Sequence, residues 1–233
     1  MVETQRVITQ AIQQGRKVLT IKESKAILVY EGFPINPTGF GKTLEEILTE
    51  AKRIGFPLVL KVSSPDIVHK SDVGGVITGI MDVLDLQEKF EGLEETLRQK
   101  APSAHIEGYV LEKMETGIEL LVGSAQDPMF GSILSFGLGG IFVEVFKDVV
   151  FRLIPITPED AAEMLSEIKA APLLDGVRGQ PPVDKHALVE LLLKTSRFIE
   201  SHPEIEELDL NPVFATAKGV SVVDARIILK SAQ

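Results

Sequence analysis

Three strand-like runs follow one another in the middle of the chain with short breaks between them. They are His105–Met114, Glu119–Ala125 and Phe130–Phe136, separated by Thr116-Gly117 and Asp127-Pro128. Apolar runs that alternate with short turn sequences are typical of neighbouring strands joined as hairpins. This part of the chain therefore predicts a largely antiparallel sheet, and any fold for the sequence has to contain it.

Helical and strand-like segments alternate before this sheet and follow it again afterwards. The first helix starts at Glu3 and stops at Gly15, and a second runs from about Glu23 to Gly32. Later helices are predicted after the caps Thr43, Thr157 and Asp184. Further strands are predicted at 142–145, 149–156, 205–210, 213–217 and 220–228. We expect an N-terminal helix in residues 1–23 that packs on a larger lobe, a small mixed lobe in 24–110 and the larger lobe in 111–233.

Composition excludes several classes of function. The chain has 233 residues, a net charge of -10 and no cysteine. General affinity for nucleic acid is not expected, because it depends on clustered Lys and Arg, and thiolate catalysis and Cys-based zinc sites are excluded. No signal peptide and no apolar stretch long enough to cross a bilayer occur, so we expect no membrane association and a cytoplasmic location.

The first candidate site is the stretch from Lys61 to Val76, predicted as strand, loop and strand. Lys61 ends an apolar run, and Gly74-Gly75 opens the next one. Glycines let the backbone take positive φ or approach a ligand closely, and such a loop can offer N–H groups and a cation to phosphate. A lysine that merely extends to solvent from a strand end is the alternative interpretation of Lys61.

His69 lies in the same loop. Imidazole is uncharged for much of its population near neutral pH and is nucleophilic, so it can accept a phosphoryl group and pass it on. Of the four histidines in the chain, His69 alone neighbours a glycine-flanked cationic loop. A solvent-exposed histidine without a chemical role is the alternative.

The hairpin from Glu112 to Glu119 is a candidate for recognition of a nucleoside. The backbone of Glu112, Lys113 and Met114 could read a flat base through N–H and C=O groups, and Glu119 could accept hydrogen bonds from ribose hydroxyls. The alternative is an acidic hairpin without a ligand.

A metal pair is predicted near the C-terminus. Strand alternation places Asp209 and Asn211 on one face, and the following hairpin can bring Asp224 opposite them. Hard oxygens from Asn and Asp are the ligands that Mg²⁺ takes, with phosphates and water completing the shell. Hydrogen-bonded turn residues are the alternative.

Together these stretches resemble the ATP-grasp fold, and specifically the β subunits of ADP-forming acetyl-CoA (acyl-CoA) synthetases. The resemblance covers nearly the whole chain in the family's order. Its motifs are Lys61 to Val76, Phe136-Gly-Leu-Gly-Gly-Ile-Phe-Val-Glu144, Asp148 with Phe151-Arg152, Pro155-Ile-Thr157, Leu208-Asp-Leu-Asn-Pro212 and Val223-Asp-Ala-Arg226. It implies an α+β fold of two α/β lobes with the nucleotide in the cleft between them.

The resemblance also implies roles for the matched positions. Lys61 would hold nucleotide phosphates, with Gly74 and Gly75 in the same loop, and His69 would be the phosphohistidine. Arg152 is a further candidate for phosphate contact.

The remaining roles concern the nucleoside and the metal. Glu112, Lys113 and Met114 would form the hinge against adenine, and Glu119 would meet the ribose. Asn211 and Asp224 would bind Mg²⁺.

The resemblance further implies an acid–thiol ligase, acetate–CoA ligase (ADP-forming), that converts acyl-CoA, ADP and phosphate reversibly to acid, CoA and ATP. A CoA-binding α subunit would be the partner, in an α2β2 hetero-oligomer, and would pass a phosphoryl group to His69. Two alternatives are a stand-alone ATP-grasp ligase that acts through an acylphosphate and a non-catalytic nucleotide-sensing module.

Overall fold

The computed structural model describes residues 3–67, 70–140, 148–177 and 179–230. The helices are α1 (Glu3–Gln13), α2 (Ile21–Tyr30), α3 (Leu44–Ile54), α4 (Val83–Lys100), α5 (Pro158–Glu167), α6 (Ala171–Leu174) and α7 (Lys185–Ser201). The strands are β1 (Thr38–Gly41), β2 (Leu58–Ser63), β3 (Val76–Ile80), β4 (Gly108–Lys113), β5 (Ile118–Asp127), β6 (Gly131–Leu138), β7 (Val149–Leu153), β8 (Ile205–Thr216), β9 (Gly219–Val222) and β10 (Ala225–Leu229). The strand predicted at 142–145 lies outside the described residues.

Side-chain caps set the helix starts as the sequence predicts, with one difference. Thr157 and Asp160 form a reciprocal capping box at α5, with Pro158 in its first turn. At α3 the Thr43 hydroxyl accepts from the Glu46 N–H, but the Glu46 carboxylate accepts from the N–H of Lys42 instead of that of Thr43. The Glu46 carboxylate therefore still accepts a backbone hydrogen bond at the start of α3, but from the residue before Thr43.

The chain divides into two compact units. Asn36–Glu115 form the small unit, and Met1–Ile35 with Thr116–Gln233 form the large unit. The boundaries therefore differ from the expected lobes at 24–110 and 111–233. The reason is that Ile27 and Leu28 of α2 are buried in the core of the large unit, whereas β4 pairs with β1 and β2 of the small unit up to Glu112 and Lys113.

The small unit is a four-stranded antiparallel sheet in the order β1-β4-β2-β3. Strand alternation sends one set of side chains towards α3 and α4. That core is made by Ile47, Ala51, Leu58, Leu60, Val62, Ile80, Leu86, Phe90, Leu93, Leu97, Tyr109 and Leu111. The other face of β2 and β4 carries Lys61 and Glu112.

The large unit is a six-stranded antiparallel sheet in the order β10-β8-β5-β6-β7, with β9 paired to β8. Residues at alternate positions of β5, β6 and β8, such as Leu120, Phe136 and Leu210, are buried in one core with residues of α1, α2, α5 and α7. The opposite, open face carries Glu119, Gly123 and Asp209. The antiparallel sheet predicted from residues 105–136 is thus divided, with β4 in the small unit and β5 and β6 in the large unit.

In the described part of the chain, no helix combines the length and the apolar content that crossing a membrane requires.

Candidate functional site

The loop between β2 and β3 is closed by a tight turn. The Gly74 N–H donates to the Ser71 carbonyl (3.1 Å) and the Gly75 N–H to the Lys70 carbonyl (2.7 Å), while the Val62 N–H donates to the Gly75 carbonyl (2.9 Å). Both glycine N–H groups are therefore used within the turn. His69, the predicted phosphohistidine, lies outside the described residues.

The two glycines of this turn are required for different structural reasons. Gly74 has φ of +72°, in the region where residues with a side chain are strained. At Gly75 a Cβ would lie 2.7 Å from Cγ1 of Val62 and 2.9 Å from the Lys70 carbonyl oxygen. Gly75 therefore lets the turn pack closely against β2 of the protein itself. Phosphate binding by the two glycines stays a prediction.

Lys61 forms a largely buried ion pair with Glu112. The Nζ of Lys61 lies 2.6 Å from Oε2 of Glu112, and the two side chains are 16% and 2% exposed. The register explains the contact, because Val59 lies opposite Glu112 and Lys61 is therefore its diagonal neighbour on the same face. A lysine ammonium carries three donors, so pairing with one carboxylate is compatible with a second, anionic ligand.

This pair is the clearest feature that the sequence interpretation missed. Both residues were assigned to the site, Lys61 for its side chain and Glu112 for its backbone, but nothing in either strand alone gives their mutual register. An isolated buried charge is costly, and the Glu112 carboxylate is the group that pairs with Lys61 and orients it on β2.

The proposed adenine hinge is already hydrogen-bonded. The Lys113 N–H donates to the Pro37 carbonyl (2.9 Å) and the Met114 N–H to the Pro57 carbonyl (3.0 Å). The Lys113 carbonyl accepts from Nδ2 of Asn36 (3.3 Å). Base recognition through these two N–H groups would therefore require them to exchange partners, and the hinge role stays a prediction.

Glu119, Gly140 and Asn211 are linked on the large unit. The Gly140 N–H donates to Oδ1 of Asn211 (3.3 Å), and a Cβ at Gly140 would collide with the carboxylate of Glu119. The Gly139 N–H donates to the Glu119 carbonyl (2.8 Å). The glycine pair at 139–140 thus joins the predicted ribose ligand Glu119 to the predicted metal ligand Asn211.

Asn211 lies on β8 at a bulge, and Asp224 lies between β9 and β10, next to the β10 residue that pairs with β8. Two β8 residues, Asn211 and Pro212, lie between the pairs Leu210–Val122 and Val213–Leu120, whereas β5 has only Leu121 there, so the pairing shifts at this point. Asp224 falls between Val223, whose N–H donates to the Pro212 carbonyl (3.0 Å), and Ala225, which pairs with Leu210. The backbone therefore places Asn211 close to Asp224, and their role as metal ligands stays a prediction.

Asp209 adds negative charge beside this pair. Burial raises the pKa of the Asp209 carboxyl above its ordinary value; the Arg226 guanidinium opposes the rise, and the carboxylates of Glu207 and Asp224 add to it. A cation bound nearby would favour the charged form of Asp209, which the neighbouring carboxylates disfavour.

The donor set fits Mg²⁺ better than a transition metal. Among the described residues, no cluster of three or more His, Asp and Glu side chains is arranged to hold a metal. Asn211 and Asp224 supply two hard oxygens, which suits an ion that takes one or two protein ligands together with phosphates and water.

Arg152 is engaged elsewhere in the large unit. Its position opposite Leu134 directs it to the helix-covered face, where its guanidinium pairs with Glu167, with Glu163 (3.4 Å) and with Asp160 (3.9 Å) of α5. The phosphate contact of Arg152 stays a prediction, and a phosphate would have to compete with these three carboxylates.

Asp148 holds the end of α5 against the sheet. Its Oδ1 accepts from the Lys169 N–H (2.7 Å) and its Oδ2 from the Ala170 N–H (2.8 Å). The Asp148 carbonyl accepts from the Leu138 N–H (3.2 Å), next to the 139–140 glycines. No local sequence pattern indicates this role, because the two partners lie 21 and 22 residues further along the chain.

Asp148→Ala is expected to lower the free energy of unfolding by about 2–4 kcal/mol, since two N–H groups lose a charged acceptor and one of these bonds is fully buried. A urea titration followed by circular dichroism measures the change. Asp184→Ala is the matched control, because it removes a single N-cap bond to Ala187 (3.0 Å) and should cost about 1 kcal/mol. Equal losses in the two variants would contradict the anchoring role.

The comparison with known proteins covers nearly the whole chain. Residues 10–229 match the ATP-grasp domain family. The chain is 44% identical over 232 residues to the β subunit of acetate–CoA ligase (ADP-forming) II from Pyrococcus furiosus, and the match covers 98% of each chain.

Solved structures agree with this similarity. The dinucleotide-forming acetyl-coenzyme A synthetase 1 of Ca. Korarchaeum cryptofilum, in complex with coenzyme A, Ca-AMPCP and HgCl+, matches with a TM-score of 0.92 and 41% identity. That match covers 97% of this chain and 100% of the other. A second structure of the same enzyme holds coenzyme A and Mg-AMPPCP, with a phosphohistidine segment pointing towards the nucleotide binding site (TM-score 0.86, 40% identity, 97% of this chain and 100% of the other). The chain therefore belongs to the ATP-grasp family, among the β subunits of ADP-forming acetate–CoA ligases.

Proposed function

We propose that this chain is the nucleotide-binding subunit of an ADP-forming acyl-CoA synthetase. It transfers a phosphoryl group reversibly between His69 and ADP, and the complete enzyme couples this transfer to the conversion of acyl-CoA, ADP and phosphate to acid, CoA and ATP. The observation that carries the proposal is the match to the Pyrococcus furiosus β subunit over 98% of both chains. The arrangement of Glu119, Gly140 and Asn211 supports it independently.

The transfer step balances without a further reactant. A terminal oxygen of the ADP β-phosphate attacks the phosphorus of phosphorylated His69, the N–P bond breaks as the new O–P bond forms, and the electron pair returns to the imidazole nitrogen, which takes up a proton from solvent. Phosphoryl transfer of this kind depends on positioning and on neutralisation of charge more than on covalent chemistry by the protein.

Residues of each unit have a role in this step. In the small unit the ammonium of Lys61, oriented by Glu112, would neutralise charge on the nucleotide phosphates. In the large unit Glu119 would accept hydrogen bonds from the ribose. The hinge backbone at Glu112 to Met114 would meet the adenine after the Lys113 and Met114 N–H groups exchange their present acceptors.

Asn211 and Asp224 would hold Mg²⁺, which neutralises phosphate charge when bound. A structure of the related Korarchaeum synthetase with Mg-AMPPCP supports this choice of ion. Asp209 would contribute negative charge beside them, because the Asp224 carboxylate is one of the groups that raise the pKa of Asp209.

A CoA-binding α subunit would be the partner, because the curated relative is itself a β subunit. An α2β2 assembly in the cytoplasm is the arrangement we propose. The acyl-CoA and phosphate chemistry would take place on that partner, which then delivers the phosphoryl group to His69.

Reconstitution tests the proposed function. The purified chain is mixed with the α subunit encoded with it and supplied with acetyl-CoA, phosphate, Mg²⁺ and ADP, and ATP is measured. We expect ATP only when both subunits are present. Activity of this chain alone would favour the stand-alone ligase, and Mg²⁺-independent nucleotide binding without turnover would favour the sensing module.

Asp224→Asn is expected to raise the Mg²⁺ concentration for half-maximal ATP synthesis by about 10-fold or more, equivalent to about 1.4 kcal/mol of binding free energy. The reason is that a neutral amide replaces a charged ligand. Titration of Mn²⁺ in the presence of ADP, followed by electron paramagnetic resonance, gives a second readout. Asp175→Asn is the control, since Asp175 is exposed and pairs with Lys185. An unchanged metal requirement in Asp224→Asn would remove Asp224 from the metal site.

A further inference from the structure

Four large apolar side chains are exposed side by side on the large unit. Met129 and Phe130 form the tip of the β5–β6 hairpin, and Phe151 and Leu153 lie on β7. They are between 54% and 85% exposed. We call these four residues the β6–β7 patch.

The backbone makes the patch continuous. Leu153 lies opposite Ile133, and Phe151 opposite Ser135, so the two β7 side chains project from the same face of the sheet. Ile133 is two residues from Gly131, at which the hairpin turns, and Oδ1 of Asp127 fixes that turn by accepting from the N–H groups of Met129 (2.8 Å) and Phe130 (2.9 Å).

Phe151 and Leu153 stay exposed on the open face of the large unit in the part of the chain that the structure describes. The neighbouring positions Val150 and Arg152 project to the opposite face, where Arg152 meets α5. β7 is also the end strand of the sheet, paired to β6 and to no other described strand. An edge strand with exposed apolar side chains is a site of unwanted association unless another chain covers it.

The charges beside the patch indicate which kind of protein chain could bind there. A groove of about 300 Å³ adjoins it, lined by Ile133, Ser135 and Phe151 together with the acidic residues Asp127 and Glu207, and it extends to Asp209 beside the predicted metal pair. A second copy of this chain, with its own net charge of -10, would bring the same carboxylates into opposition across a two-fold interface. A different chain with apolar and basic residues fits both features.

We propose that the β6–β7 patch is the docking surface for the CoA-binding α subunit, and that the contact face of that subunit is apolar with lysine or arginine at its edge. The inference rests on the proposed function, because it requires a second subunit. It goes beyond that function by assigning the contact to β7 and the β5–β6 hairpin.

Two single substitutions, Leu153→Ser and Phe130→Ser, test the assignment. Both replace exposed side chains that are not among the predicted nucleotide or metal ligands. Each is expected to weaken binding of the α subunit at least 10-fold, as measured by sedimentation equilibrium of the mixed subunits. Leu84→Ser in the small unit is the matched control, since Leu84 is 76% exposed but lies outside the patch, and its binding should stay within 2-fold of the unsubstituted chain. Nucleotide binding by the isolated chain should be unchanged in all three variants.

The outcomes separate the inference from the proposed function. If the unsubstituted chain binds the α subunit and both patch variants bind it equally well, the inference is overturned and the proposed function stands. The inference is also overturned if the patch variants lose self-association of this chain while they keep α-subunit binding, because the patch then belongs to a second copy. If the unsubstituted chain makes ATP without any α subunit, the proposed function fails and the inference fails with it.

Discussion

His69→Ala is expected to reduce ATP synthesis from acyl-CoA, phosphate and ADP by about 10³-fold or more in the reconstituted enzyme. A covalent carrier has no substitute within the chain, because removal of a nucleophile stops the route that depends on it. Binding of Mg-ADP, measured by isothermal titration calorimetry, should stay within about 2-fold, since the phosphate and metal ligands are other residues.

The control for this variant is His186→Ala, because His186 is an exposed histidine on α7 of the large unit. It should keep full activity. Retention of ATP synthesis by the His69 variant at the level of the His186 variant would remove His69 from the mechanism, whatever the fate of the other assignments.

Lys61→Met is expected to abolish productive nucleotide binding and also to destabilise the protein by about 3–5 kcal/mol. The second effect arises because the Glu112 carboxylate, 2% exposed, loses the cation 2.6 Å away. Urea titration followed by circular dichroism measures the stability, and calorimetry with Mg-ADP measures the binding. Lys185→Met is the control for stability, since Lys185 forms a surface ion pair with Asp175 and exposed pairs contribute about 1 kcal/mol or less.

The double variant Lys61→Met, Glu112→Leu separates the two effects. Removal of both charges should restore most of the lost stability, because apolar replacements of a buried ion pair are often neutral. It should not restore nucleotide binding, because the cation for the phosphates is still absent. If the double variant binds Mg-ADP as the unsubstituted chain does, Lys61 is a structural lysine and not a phosphate ligand.

Local features of the fold were predictable from the sequence. The β5–β6 and β8–β9 hairpins of the large unit follow from apolar runs separated by turn residues, at Asp127-Pro128 and at Lys218-Gly219. The starts of α3, α5 and α7 follow from Thr43, Thr157 and Asp184. In each case the information lies within a few residues of the feature, so the sequence pattern is sufficient.

Long-range pairing was not predictable in the same way. The division of the chain at Ile35 and Glu115 depends on β4 lying between β1 and β2, and the Lys61–Glu112 pair depends on the register of β2 with β4. A one-residue shift of that register would send the two side chains to opposite faces. Apolar patterning fixes which residues are strands but does not choose the partner of each strand.

The residues of the candidate site show the same difference between local and long-range information. Asn211 and Asp224 could be paired from sequence because a short hairpin joins β9 to β8 and β10 follows it directly. Arg152 was assigned to phosphate from the resemblance, yet its position on β7 places it towards α5. The apolar residues Phe151 and Leu153 on either side of Arg152 indicate the opposite orientation, because alternation along a strand usually turns the apolar residues to the core. The carboxylates of α5 explain why Arg152 lies on the helix-covered face, and the strand pattern alone does not show them.

Intact-mass analysis of this chain during turnover is the most direct test of the central claim, phosphoryl transfer through His69. The chain is incubated with the α subunit, acetyl-CoA, phosphate and Mg²⁺ without ADP, and the mass and the acid stability of any modification are determined before and after ADP is added. The account predicts one acid-labile phosphoryl group on the peptide that contains His69, and its loss with formation of an equal amount of ATP. An enzyme that makes ATP under these conditions while this chain never carries a phosphoryl group would contradict the account.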